Sequence, residues 1–322
     1  MLIRMVCPAP PGSLYGNRVT AERWRRILES LGHRVRIVSG FRDEPCDLLI
    51  ALHARRSAPA VFAFRARYPQ KPLVVALTGT DLYRDLRRFR TPWRALAAAD
   101  RIVALQPLAT AELEPALHDK VRVIYQSAKP SNGSITRSPK SFDVSVAGHL
   151  RTVKDPFRAA YAVRRLPGSS RIRVLHAGRA MTKAMEQKAR AEQARNPRYT
   201  WLGPLSAQRT RRLIAQSRLM VISSRMEGGA NVISEAVVDG VPVLASRIPG
   251  SVGLLGKDYI GYFPVGDTEA LAELLHRAEN DSAFYRRLRQ HCAHLKPLFR
   301  PQEERERWRK LLSEIAGPHT RK

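Results

Sequence analysis

Short apolar runs alternate with segments of helical period along almost the whole chain, and the alternation occurs twice. Leu2–Val6 reads as a strand. Val19, Trp24, Ile27, Leu28 and Leu31 follow at helical spacing, and Gly32 stops that helix. Val35–Val38 and Asp47–Leu52 are the next strands, a helix over Ala58–Arg67 ends before Pro69, and Leu73–Leu77, Arg101–Leu105 and Val121–Tyr125 follow. The stretch Ser127–Ser141, with Lys129-Pro-Ser-Asn-Gly-Ser at its start, reads as a linker. The pattern then restarts. Val144–Ala147, Arg171–Leu175, Tyr199–Leu202, Leu219–Ser223, Val241–Ala245 and Gly261–Phe263 are strands. A helix starts near Pro156, a polar helix spans Lys183–Arg195, and Asp267–Leu275 is a capped amphipathic helix. Strands this short and apolar, separated by helices, predict parallel sheets covered on both faces. The expected fold class is α/β with two doubly wound, Rossmann-like domains, 1–128 and 142–298, joined by a linker at 129–141. Ligands are expected beyond the carboxyl ends of the strands, in a cleft between the domains.

Composition narrows the function classes. The 322 residues include 56 Lys+Arg against 28 Asp+Glu, a formal charge of +28. Nucleic acid, an anionic membrane surface and small anionic substrates all suit such a charge. The basic residues are scattered, and their densest clusters (Arg84, Arg87, Arg88 and Arg90; Arg286, Arg287 and Arg289; Arg305, Arg307 and Arg309) read as solvated helix faces. None is interleaved with stacking aromatics and no nucleic-acid-binding signature accompanies them, so no nucleic-acid partner is expected. No apolar run reaches the length of a membrane span, and Met1–Cys7 reads as a strand, not a signal peptide. Cys7, Cys46 and Cys292 lack paired spacing, which suits a reducing compartment and a cytoplasmic location.

The segment with most chemistry is Glu227-Gly-Gly-Ala-Asn-Val-Ile-Ser-Glu235, set between two strands. A Gly-Gly turn opening a helix presents backbone N–H groups and the positive end of a helix dipole, which suits a phosphate. Carboxylates on either side accept hydrogen bonds from sugar hydroxyls. Together they point to a nucleotide diphosphate sugar. Other chemistries lack their residues: there is no Gly-x-x-x-x-Gly-Lys-Ser/Thr loop and no Gly-x-Gly-x-x-Gly after the first strand. His291 and His294 have no third ligand nearby, and the absence of Asp-x-Asp argues against a bridging metal. No metal and no further cofactor are expected.

These residues resemble the retaining GT-B glycosyltransferases with a Glu-x7-Glu signature. The resemblance is carried by Glu227 and Glu235 with the continuation Ala236–Ala245, by Val146-Ala-Gly-His-Leu-Arg-Thr-Val-Lys-Asp-Pro156, by the glycine loop Pro10–Asn17, and by Gly266–Leu271. It implies that Lys154 contacts the donor phosphates and that Gly203-Pro-Leu205 packs a uracil base, so the donor is a UDP-sugar. It also implies that the C-terminal segment, 299–322, packs back on the first domain. The family commonly has Arg where this chain has His149; Arg151 lies two residues on. Gly16–Trp24, Leu31–Val35, Thr78-Gly-Thr-Asp-Leu82 and Gly148–Arg151 are further similar to the selenosugar synthases of the selenoneine pathway. That likeness implies UDP-GlcNAc or UDP-glucose as donor and selenophosphate as acceptor, with UDP and phosphate released.

The expected roles follow. Glu235, one turn into its helix, accepts both ribose hydroxyls, and Glu227 faces the donor sugar and steadies positive charge at the anomeric carbon. The N–H groups of Gly228, Gly229, Ala230, Asn231 and Val232 form the anion nest. Lys154 carries the charge of the departing diphosphate, with His149, Arg151 and Arg179 as further phosphate contacts. Gly12, Gly16 and Asn17 floor the site on the first domain. Asp81 bonds acceptor or sugar, or else caps the helix that starts at Leu82. An anionic nucleophile needs no strong general base, and no His–Asp pair is evident in the sequence. Three rivals remain: a conventional transferase acting on a hydroxyl acceptor, which shares every donor feature; a membrane-surface transferase using a basic helix Leu82–Trp93; and a nucleic-acid-binding module using the net charge.

Overall fold

The computed structural model describes all residues except 14, 133–134 and 317–322. Leu14 of the expected glycine loop, Gly133 and Ser134 of the expected linker, and the end of the expected C-terminal segment therefore lie outside the described residues. The chain divides into two compact units. One comprises Met1–Gln126, Glu227–Gly229 and Pro301–Lys322; the other comprises Ser127–Met226 and Ala230–Arg300.

The first unit is built on β1 (Leu2–Val6), β2 (Arg34–Val38), β3 (Leu48–Leu52), β4 (Leu73–Ala76), β5 (Arg101–Ala104) and β6 (Val121–Val123). All pair in parallel, in the order β2-β1-β3-β4-β5-β6. Helices α1 (Gly16–Ser30), α2 (Ala58–Arg67) and α3 (Arg90–Ala98) connect them. Side chains alternate across the sheet, so β3 sends Leu49 and Ala51 to one core with Phe64 and Leu96. Leu48, Ile50 and Leu52 go to the other with Trp24 and Leu28. Burial on both faces is why β3 and β4 contain no polar residue. The last helix of the chain (Pro301–Ala316) closes that second core. Its Trp308 meets Trp24 edge to face at 4.9 Å, and Trp24 Nε1 donates to the buried Glu304 at 2.8 Å.

One expected element is corrected. The basic helix expected over Leu82–Trp93 does not form: a single π-type turn covers Asp81–Asp85, Phe89 is extended (φ −137°, ψ 143°), and α3 begins at Arg90. Pro92 is the physical reason, because a continuous helix would drive its ring into the carbonyl of Arg88. Leu82 and Leu86 are buried, so this segment offers no amphipathic face of the kind a membrane surface needs.

The second unit repeats the plan with β7 (Phe142–Ala147), β8 (Ile172–Ala177), β9 (Tyr199–Trp201), β10 (Leu219–Ile222), β11 (Val243–Ser246) and β12 (Tyr262–Phe263). They are again all parallel, in the order β12-β11-β10-β7-β8-β9. The helices are α4 (Arg158–Val163), α5 (Lys183–Arg195), α6 (Ala207–Gln216), α7 (Asn231–Val238), α8 (Pro249–Leu255), α9 (Thr268–Asn280) and α10 (Ser282–Leu295). Thr182, Ser206, Asp267 and Asp281 cap α5, α6, α9 and α10 through their side-chain oxygens. The fold is thus α/β with two doubly wound parallel sheets. Among the described residues no helix is long and apolar enough to cross a membrane. All three cysteines are free and buried, and burial pushes their thiols up.

Candidate functional site at the strand ends of the second unit

Beyond the carboxyl ends of β7, β8 and β10 the second unit has a small concavity lined by Gly148, Lys154, Pro156, His176, Ser223 and Ser224 among others. Gly148 gives it bare backbone at the floor. Gly148 N donates to Ala177 O at 2.9 Å and Gly178 N to Gly203 O at 2.8 Å, so the chain just beyond three adjacent strands is laced together. A Cβ on Gly178 would sit 1.9 Å from Gly148 O, which only glycine avoids. His176, wholly buried in β8, sets the orientation of this floor. Its Nε2 lies 3.1 Å from Gly148 O and its Nδ1 3.1 Å from the Tyr199 hydroxyl. A carbonyl only accepts, so Nε2 carries the proton and Nδ1 accepts from Tyr199. Burial pushes His176 down to about 4, so the ring is neutral at physiological pH.

Lys154 stands half-buried at the rim, closing a 3₁₀ turn over Thr152–Lys154. That turn is held from below: Ser223 Oγ donates to Asp155 O at 2.8 Å and Arg225 N to Val153 O at 2.9 Å. Asp155 is left-handed (φ 42°), and its carboxylate accepts from Arg158 Nε at 2.9 Å. The end of β10 therefore fixes the backbone that presents Lys154. His149 and Arg179 also come together, the His149 ring accepting from the Arg179 amide at 3.3 Å beside a β-bridge between Leu150 and Ala180. The side chains of Arg151 and Arg179 are exposed; Gly203 and Leu205 are half-buried beyond β9.

The helix that follows the Gly-Gly turn is α7, whose N-cap is Ala230. Alanine has no side-chain acceptor for the first-turn N–H groups, the condition an anion site requires. Asn231 and Val232 form that first turn. The two glycines before it have a second reason to be glycine. A Cβ on Gly228 would lie 2.6 Å from the Thr78 carbonyl carbon and 2.7 Å from Gly79 N, and one on Gly229 would lie 2.6 Å from Leu105 Cβ. Close packing, not only an anion, dictates their size. Glu227 is half-buried just before the turn. Glu235 is one turn into α7, with its carboxylate 4.0 Å from Arg211 Nη1. Arg211 reaches on to Asp239 at 2.8 Å, and Asp239 also accepts from Ser131 N at 2.7 Å.

Besides Glu227, Gly228 and Gly229, four expected site residues lie in the first unit. Gly12 is in an exposed turn closed by Ser13 N to Pro10 O (3.3 Å), Gly16 opens α1, and Asn17 is half-buried in its first turn. Asp81 requires a correction. It has no exposed surface, and its carboxylate accepts from the amides of Ala54 (3.0 Å), Thr78 (2.9 Å) and Gly79 (2.8 Å). A carboxylate so occupied holds the ends of β3 and β4 in place and does not touch a substrate; nor does it cap the helical turn, whose N-cap is Thr80. His176, Ser223, Ser224 and Arg211 escaped the sequence reading. His176 falls beyond the expected end of its strand, and the one available signal was a polar residue in an apolar run.

Residues 131–294, just over half of the chain, match the family model for glycosyl transferases group 1. No curated protein matches the sequence. HepE of Anabaena, solved in complex with UDP, has a TM-score of 0.76 at 17% identity over 97% of this chain and 99% of that one. Sucrose-phosphate synthase from Thermosynechococcus elongatus has 0.80 at 14% identity over 98% of each chain. A glycosyltransferase from Rickettsia africae has 0.72 at 13% identity over 98% and 99%. At these identities the likeness is one of fold.

Proposed function

The chain belongs to the glycosyl transferases of group 1, and on that footing we propose that it transfers a sugar from a UDP-sugar, UDP-GlcNAc or UDP-glucose, to selenophosphate. One observation carries the donor half of this reading: the strand ends of β7, β8 and β10 hold a concavity lined by Gly148, with Lys154 at its rim. The fold likeness to Anabaena HepE, which was solved as a complex with UDP, supports the same donor class. The acceptor half rests on the segments Gly16–Trp24, Leu31–Val35, Thr78–Leu82 and Gly148–Arg151 and their likeness to selenosugar synthases.

In the proposed reaction the selenium of selenophosphate attacks the anomeric carbon. A C–Se bond forms, the C–O bond to the diphosphate breaks, and UDP leaves with the electron pair. Water then cleaves the Se–P bond, giving phosphate and the 1-seleno-sugar. Lys154 and the N–H groups from Gly228 to Val232 take up the charge that develops on the leaving diphosphate, the interaction with most leverage on such a step. His149, Arg151 and Arg179 add phosphate contacts. Glu235 holds the ribose, Gly203 and Leu205 pack the base, and Glu227 faces the donor sugar. The nucleophile is already anionic, so no general base is assigned. No metal is assigned either, because a lysine and a helix N-terminus can carry the diphosphate charge and the sequence has no Asp-x-Asp.

The test is product mass after incubation with each UDP-sugar, with and without selenophosphate. Equimolar seleno-sugar, UDP and phosphate are expected. A product formed only with a hydroxyl acceptor removes the acceptor half and keeps the donor half; no UDP release from any donor removes both.

A further inference from the structure

The first unit carries a buried ionic cluster that none of the roles above uses. His53 follows β3 and is 1% exposed. Its backbone is left-handed (φ 73°), a conformation that costs a non-glycine residue about 1 kcal/mol or more and collects at functional sites. Its Nδ1 faces the amide of Arg56 at 3.3 Å. An amide only donates, so Nδ1 is the acceptor and the proton sits on Nε2. Nε2 lies 3.1 Å from Thr80 Oγ1. The Thr80 oxygen is thereby the acceptor, and its own hydrogen is left to donate elsewhere. Burial holds the imidazole below its usual range against the pull of Asp81 and Asp85, so this arrangement does not titrate away near neutrality.

Asp85 is the other half of the cluster. It is fully buried. Its Oδ1 accepts from Arg84 Nε at 2.9 Å and lies 3.8 Å from Arg55 Nη1. Its Oδ2 has no hydrogen-bond partner among the described residues and lies 3.9 Å from His53 Nε2. A buried carboxylate oxygen left unpartnered is expensive and calls for a functional reason. One carboxylate thus tethers two guanidinium groups, each 41% exposed. Arg55 is further fixed over the Phe89 ring at 3.6 Å. Arg84 binds Asp85 through Nε, which leaves its two Nη groups for a bidentate contact.

The geometry points to a binding site for a tetrahedral oxyanion of the phosphate class beyond β3 and β4: Thr80 Oγ, Arg84 and Arg55 touch the anion, and His53 and Asp85 position them. The inference rests on the transferase reading and gives the anionic acceptor its anchor. The turn Glu227–Gly229 groups with the same unit and packs on Thr78–Gly79, next to Thr80.

Titration of inorganic phosphate into the full-length protein saturated with UDP reads this site, because UDP then fills the diphosphate cradle. One saturable phosphate is expected. Thr80→Val and Arg84→Gln each weaken it about tenfold or more, the size of a hydrogen bond to a charged group, while Thr80→Ser stays near the parent. His53→Gln weakens it as Thr80→Val does and adds little in the double variant, the mark of a residue acting through Thr80. Arg87→Gln changes an exposed arginine of the same basic segment, paired with Glu112 at 2.9 Å, and leaves the affinity within about twofold. If UDP binds but phosphate does not, or if Arg87→Gln does as much harm as Arg84→Gln, the site is overturned and the donor reading stands. If UDP itself does not bind, both fall.

Discussion

The two sheets share one plan, yet their strand ends are furnished in opposite ways. Beyond β7, β8 and β9 side chains have been removed: Gly148, Gly178 and Gly203 bring backbone to backbone, and the buried polar group, His176, is neutral. Beyond β3 and β4 charge has been packed in: Asp81 and Asp85 are sealed, and Arg55 and Arg84 are tethered outside them. A glycine floor lets a large ligand approach the main chain. A buried carboxylate with two arginines holds a small anion by fixed charge. On the readings proposed above, one scaffold serves two kinds of ligand, according to whether side chains are deleted or buried at the carboxyl ends of its strands.

The largest test of this contrast is Gly178→Val. Its Cβ has no room beside Gly148 O, so the floor must shift, with an expected loss of about 3 kcal/mol or more in denaturant unfolding and no measurable UDP binding. Gly148→Ala sharpens the point, since a Cβ there meets nothing within 4 Å; it is expected to leave stability within about 0.5 kcal/mol. Unharmed Gly178→Val protein would mean the floor is not tightly built. Lys154→Ala is expected next, lowering kcat about 10²–10³-fold with partial rescue by Lys154→Arg; a change in KM alone would make Lys154 a mere binding residue.

His176 ties stability to pH. Its folded value of about 4 lies below the ordinary 6.5. The unfolded chain therefore binds the extra proton first, and stability is intact above about pH 6.5 and lost as pH falls toward 4. The loss attributable to this ring is about 3 kcal/mol. His53 shifts in the same direction and adds to the acid limb. Unfolding of His176→Gln across that range is expected to show a flatter acid limb than the parent; an equal slope would place the titration elsewhere.

Much of the fold is legible because strand burial on both faces and helix capping are local rules. The limits of α2 and α5 and the Asp267 cap of α9 match the pattern reading, and strand ends differ by a residue or two. The failures are instructive. The helix expected over Leu82–Trp93 ignored what Pro92 does to the turn before it. His53 and Asp85 are 32 positions apart and meet because β3 and β4 pair side by side, a fact of strand order that periodicity does not encode. Asp81 looked like a ligand because its environment of donated amides is invisible in sequence. The Gly-Gly turn was legible as a turn, but its packing against Thr78, Gly79 and Leu105 was not.

The central claim is that the second unit grips a uridine diphosphate, with Glu235 on its ribose. Calorimetric titration of UDP into the parent protein and Glu235→Ala tests it most directly. The account predicts saturable one-to-one binding to the parent and a loss of about 1.5–3 kcal/mol, roughly 10–150-fold, in the variant. Equal UDP affinity in the two proteins, or none in the parent, contradicts it.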